Sequence, residues 1–267
     1  MKKHRFETLV PAELQACIHG RSLVLLPVGS MEWHGPHMGM GMDTLNAAEV
    51  ARRAAEALDG LFMPPLFIGT ETPRSREQLL KLGFEETEHI VGMDFPGNSV
   101  KSFYWPPELF EALMRTQLTM MLEMGFRQVV IINGHGADKQ LEILNRVCGE
   151  LSQRYAACVT SFMALVEGCG AGLGHAGLAE TAIFMDLCPE AVDLDRLPPR
   201  DIPLKNIDYA IVDSETFDVG PNDDRTVRYD PRDATAELGE RIIAYTSERA
   251  IEHISSAWDT FCGGAKP

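Results

Sequence analysis

SLVLLPVGSMEWHGPHMGMGMDT, residues 22–44, is the stretch that decides the fold. Its opening, Ser22 to Gly29, is almost continuously apolar, as expected of a parallel strand covered on both faces. A turn carrying Gly35, Gly39 and Gly41 follows. From Thr44 to Leu58 apolar side chains recur at helical spacing, with Asp43 or Thr44 placed to cap the helix. Strand, tight turn and helix in this order form the first part of a crossover unit in an α/β sheet.

The same alternation extends in both directions. Residues 62–68 read as a second strand, and residues 70–105 as a long irregular connection of the kind used for functional loops. A helix starts at Pro106–Pro107 and stops at Gly125. The strand QVVIING (residues 128–134) precedes a helix over 138–155, and a strand over 157–165 leads into the glycine-rich EGCGAGLGHAG. A helix over 179–187 ends before Pro189, residues 190–232 are Asp- and Pro-rich, and a last helix spans 234–254. No linker or composition break interrupts the chain. The expectation is therefore an α/β fold: one three-layer domain over residues 1–267, with a mostly parallel central sheet flanked by helices.

Composition narrows the partners. The 267 residues carry 24 Lys and Arg against 39 Asp and Glu, a formal charge of −15. Such a surface repels nucleic acid phosphates and anionic membranes, so neither is an expected partner. No apolar run is long enough to span a bilayer, and no apolar segment follows the basic start MKKHR. The six cysteines form no CxxC pair. Reduced thiols and a cytoplasmic location are expected.

Ligand-type residues coincide with strand ends, where sites form in open α/β sheets. The strand over 22–29 runs into Glu32, His34, His37 and Asp43; the strand over 128–134 runs into His135; the strand over 157–165 is followed by His175 and Glu180. Glu32 and His34, two apart in extended chain, point the same way. Taken singly, Asp43 could equally cap its helix, His135 could sit solvated in a tight Gly-His-Gly turn, and His37 could face either way. Taken together, Glu32, His34, Asp43, His135 and Glu180 form a mixed carboxylate and imidazole set suited to zinc, manganese or iron. In the 70–105 loop, Arg74, Arg76, Glu88, His89, Lys101, Tyr104 and Trp105 are candidate substrate-pocket residues, and Phe103–Trp105 could instead anchor the loop or meet another subunit.

Three stretches, PVGSMEWHGPHMGMGMDT, VVIINGHGAD and GHAGLAETAIFMDLCPEAVD, resemble the successive metal motifs of the creatininase family, in family order and across residues 22–193. The resemblance implies two divalent ions, Zn, Mn or Fe, and a homo-oligomeric ring, often a hexamer. It places Glu32 and His135 on one ion, His34 on the other, Asp43 between them and Glu180 as a fifth ligand. His175 and Glu180 would be the catalytic residues; independently of the resemblance, His37, His89, Tyr104, Trp105 and Asp138 are candidates to meet the substrate. The activity implied is metal-activated water cleaving an amide C–N bond in a small, cyclic, polar compound. Two departures weigh against creatinine itself: Ala137 stands where creatinine-cleaving members carry a ligating Glu, and Asp138 where the family usually has Asn. The short connection from His135 to His175 also lacks the family's tryptophan-bearing insertion. A branch of the family that hydrolyses a ring C–C bond in diketo-inositols is the alternative, and a non-catalytic binding protein retaining the fold is a third reading.

Overall fold

The computed structural model describes residues 3–98, 100–207, 210–212 and 229–264. Its central sheet contains β1 (Leu23–Gly29), β2 (Leu61–Phe62), β3 (Leu66–Phe67), β4 (Gln128–Asn133) and β5 (Cys158–Met163). The order is β2-β1-β4-β5, with β3 also paired to β1, and every pairing is parallel. β1 and β4 lie at the centre, which explains their unbroken burial and their apolar sequences.

Alternate residues of these strands feed two different helical layers. Val24, Leu26 and Val28, with Val129 and Ile131, pack against α4 (Pro107–Met124) and α5 (Asp138–Tyr155). Leu23 and Leu25, with Val130 and Ile132, pack against α2 (Met42–Leu58) and α7 (Ala236–Gly264). The period of two along each strand thus supplies both faces of a three-layer α/β fold, as the sequence predicts. Among the described residues no helix is long and apolar enough to cross a membrane.

α2 meets the sheet through Ala47, Val50, Ala51 and Ala54. Small side chains at this spacing let the helix start close to the strand ends. A Cβ on Gly134 would lie 2.0 Å from the Asp43 carbonyl oxygen, and one on Gly29 would lie 2.6 Å from the Thr44 nitrogen. The helix N-terminus is therefore seated on the backbone of two strands, and this contact fixes where Asp43 stands.

Several boundaries differ from expectation for local reasons. α2 begins at Met42 with Gly41 as its N-cap residue, so neither Asp43 nor Thr44 caps it; the Asp43 carboxylate is bonded elsewhere. The strand expected over 62–68 is two short pieces, because Pro64 and Pro65 fall between them and proline cannot donate to a ladder. The 70–105 connection contains a short helix, α3 (Arg76–Lys81), started by a reciprocal capping box between Ser75 and Gln78. An N-terminal helix, α1 (Pro11–His19), packs Leu14, Cys17 and Ile18 on the core. α7 continues ten residues past Ile254, with the Trp258 and Phe261 rings in tilted contact and covered by Arg21 and Arg127. Within the Asp- and Pro-rich segment 190–232 an antiparallel pair, β6 (Lys205–Ile207) and β7 (Ala210–Val212), stands apart from the main sheet; residues 208–209 and 213–228 of that segment lie outside the described residues. The six cysteines are free thiols.

Gly134→Ala should be far more costly than an ordinary surface Gly→Ala change, because its Cβ would meet rigid backbone rather than a flexible side chain. A loss of about 3 kcal/mol or more is expected in denaturant unfolding. An unchanged midpoint would show that α2 does not sit on the β4 end.

Candidate metal centre

The chain leaves the carboxyl end of β1 through Ser30, Glu32 and His34, re-enters α2 at Asp43, and comes back from β4 at His135. The loop after β5 adds His175, and the first turn of α6 (Leu178–Leu187) adds Glu180. Ligand atoms of Glu32, Asp43 and His135 lie within 4.8 Å of one another, as do those of His34, Asp43 and Glu180. Asp43 belongs to both groups. A third overlapping group joins Glu32, His34 and His175.

Distances show how tightly the set is drawn. His34 Nε2 is 3.2 Å from Asp43 Oδ1 and 3.8 Å from Glu180 Oε2. His135 Nδ1 is 3.1 Å from both Glu32 Oε2 and Asp43 Oδ2. His34 and His175 rings lie 4.2 Å apart. All five residues other than Glu180 are at most 7% exposed, and the Glu180 side chain is 14% exposed.

Burial on this scale penalises every charge, so the pKa directions report which neighbours win. Burial alone would raise Glu32, yet His135 and His175 hold it down at about 2. Asp43 is likewise held well below the usual carboxylate range, by His34 and His135 against burial. Burial alone would depress His34, yet Asp43 and Glu180 push it up to about 10; His135 is raised for the same reason by Glu32 and Asp43. Glu180 goes the other way: burial outweighs His34 and lifts it to about 7. His175, buried beside His34, falls to about 4 and is neutral.

The donor set fits divalent cations. Clustered buried carboxylates demand positive charge, which protons on His34 and His135 or metal ions can provide, and neutral imidazole with carboxylate is a common ligand combination for such ions. His135 Nε2 is buried with no hydrogen-bond partner among the described residues.

Of the expected substrate residues, the structure brings Tyr104 to the centre. Its hydroxyl donates to Glu32 Oε1 and accepts from the Met93 N–H. Asp138 opens α5, exposed, in a cavity beside the centre. Trp105 is 37% exposed and its carbonyl accepts from Thr70 Oγ1. His89 is exposed and lines none of the described cavities. His37 is buried but turned away, with Nε2 3.0 Å from Thr181 Oγ1. Arg74 lines the adjoining cavity, Arg76 pairs with Glu86, Lys101 donates to the Asp94 carbonyl, and the Glu88 carboxylate accepts from Glu85 N–H.

Sequence reasoning passed over residues that hold the set in place. Ser30 Oγ lies 2.6 Å from Asp43 Oδ2 and 3.2 Å from both Glu32 Oε2 and His135 Nδ1. Asn133 brackets His135, donating to its carbonyl and accepting from its N–H; Gln140 donates to Asn133 and accepts from Thr70 N–H. Both asparagine and glutamine are fully buried. A buried amide inside an apolar helix face, as Gln140 is, was the available signal. Glu71 also borders the centre, its carboxyl pushed up mainly by burial.

Parallel strands that deliver carboxylates and imidazoles from three separate ends, around one shared aspartate, define a metal-binding α/β hydrolase class. Residues 7–254 match the creatininase family, described as creatinine amidohydrolase, and the chain belongs to that family. A creatinine amidohydrolase of Pseudomonas putida is 29% identical over 205 residues, covering 69% of this chain and 72% of its own. A mycofactocin precursor peptide peptidase of Mycobacterium ulcerans is 26% identical over 251 residues, covering 87% and 84%. A solved structure of Mn creatininase superposes with a TM-score of 0.67 at 25% identity, over 96% of this chain and 98% of that one.

His37 supplies a pH-dependent stability. Burial, aided by His34, depresses it to about 3 in the folded chain, against about 6.5 unfolded. Its contribution is complete above pH 6.5 and is lost as the pH falls towards 3, because the unfolded chain takes the proton more readily. His37→Gln should flatten the fall in melting temperature between pH 6.5 and 4. A parallel slope in the variant would refute this.

Proposed function

We propose that the chain acts as one metal-dependent hydrolase domain that cleaves a C–N amide bond in a compact polar group. The observation supporting this most strongly is the double membership of Asp43: Glu32, Asp43 and His135 would hold one divalent ion, and His34, Asp43 and Glu180 a second. Such ions, Zn, Mn or Fe, supply Lewis acidity, polarising a scissile carbonyl and making water acidic enough to ionise near neutrality.

The chain's own groups handle protons and orientation. Glu180 can accept a proton from the attacking water and return it to the departing nitrogen. Its Oε2 is held at 2.6 Å by the Ala176 N–H, so the carboxyl is already aimed. His175 is neutral; Nε2, 2.6 Å from the Trp33 carbonyl oxygen, must carry the proton and donate. Nδ1 therefore presents a lone pair to the centre, 4.0 Å from Glu32 Oε2, where it can accept from a substrate N–H. Tyr104 fixes the second oxygen of Glu32. Met93, Met163, Leu165 and Leu173 wall the cavity above and limit water there.

Manganese- or zinc-loaded protein should release amine from at least one member of a panel of lactams, cyclic ureas, formamides and short peptides. Asp43→Ala should lower kcat/KM by about 10³-fold or more and remove bound metal in the same preparation. Full activity in that variant would overturn the shared-aspartate assignment. An acyclic keto-acid formed from a diketo-cyclitol, with no amine from any amide, would replace C–N by C–C hydrolysis.

A further inference from the structure

Trp33 stands between two candidate ligands that belong to different groups: Glu32 with Asp43 and His135, and His34 with Asp43 and Glu180. Alternation along an extended segment turns its side chain the other way. It is buried, 6% exposed, in a small core with Leu79, Leu82, Ile90, Met93 and Phe95. That core is separate from the two that cover the sheet. Among the described residues, every member but Trp33 comes from the 79–95 stretch of the long connection.

The backbone around Trp33 is tied to the same connection. Phe103 N–H donates to the Met31 carbonyl at 2.8 Å, and Trp33 N–H donates to Ser102 Oγ at 3.0 Å. Ser102 N–H in turn donates to Asp94 Oδ1 at 2.8 Å. Glu32 is reached once more through Tyr104, whose hydroxyl also accepts from Met93 N–H. From the opposite side, His175 Nε2 donates to the Trp33 carbonyl.

A buried apolar side chain ordinarily contributes stability and nothing else. What separates Trp33 from that role is its place in the chain. Any shift of its backbone displaces one ligand from each group at once, together with the carbonyl that orients His175. A core this small is of the kind that opens locally at low cost, so the ligand segment rests on a support with its own order and disorder.

Resting on the metal-hydrolase reading above, we propose that Trp33 is a positioning residue for both ions: seated in the 79–95 core, it holds Glu32 and His34 in place, and ion binding and the order of that core are coupled. The coupling is reciprocal, since whatever a packed core adds to ion affinity the ions return as protection of the core.

The test reads Mn binding by calorimetry and hydrogen exchange of the α3 amides, Arg76–Lys81, a helix that carries no ligand. Leu79→Ala opens a gap in the small core outside the ligand set, and should weaken Mn binding by about tenfold or more. Trp33→Ala should do the same, and Trp33→Phe, which keeps an aromatic ring, should lose less. Leu118→Ala, on α4 in the sheet core, should lower the melting temperature and leave the affinity intact. In the parent protein, Mn should slow exchange of the α3 amides by about tenfold or more. Unchanged affinity in Leu79→Ala, an equal loss in Leu118→Ala, or α3 exchange indifferent to Mn overturns the positioning inference and leaves the hydrolase reading standing. A parent protein that binds no divalent ion overturns both. Should Leu79→Ala and Trp33→Ala fail to fold, the exchange measurement on the parent decides alone.

Discussion

Three carboxylates, Glu32, Asp43 and Glu180, are packed with three imidazoles where almost no solvent reaches. Charges of one sign cannot be gathered in such a place unless positive charge comes with them. In the protein alone, protons on His34 and His135 meet that demand, which is why those rings are pushed above their ordinary range. Divalent ions would meet the same demand and free the imidazoles to act as ligands. The proposed coordination would thus follow from the fold's refusal to solvate its own carboxylates.

The fold enforces that refusal by geometry. Alternating burial along β1 and β4 brings helices onto both faces, and the small residues of α2 seat its N-terminus on Gly29 and Gly134. Asp43 is consequently delivered between Glu32 and His135 on one side and His34 and Glu180 on the other. A Cβ on Gly239 of α7 would lie 2.0 Å from the Ala182 carbonyl oxygen, so α6 is held just as closely, and Glu180 with it. Buried amides complete the scaffold: the Asn133–Gln140–Thr70 chain ties the His135 turn to the loop that carries Tyr104.

Much of this was legible in the sequence, for identifiable reasons. Continuous apolar strands, glycine turns and helical periodicity gave the α/β class and the positions of β1, β4, α4 and α5. Ligand candidates were visible because each stood at a strand end. What was hidden depended on long-range approach or on ambiguous local signals. The direction of His37 depends on Thr181, far along the chain. The helix start before Asp43 was masked because an aspartate in a first turn reads as a cap. Ser30 and Gln140 look ordinary until the residues they bond are known. Gly134 and Gly136 look alike in the sequence, yet only Gly134 is compelled by packing.

The most direct measurement is anomalous diffraction from crystals of the protein loaded with manganese or zinc, recorded on both sides of the metal edge. The account predicts two peaks, one among Glu32, Asp43 and His135, the other among His34, Asp43 and Glu180, with Asp43 touching both. Loaded crystals showing no peak among these side chains, or a single ion that leaves Asp43 without contact, would contradict it.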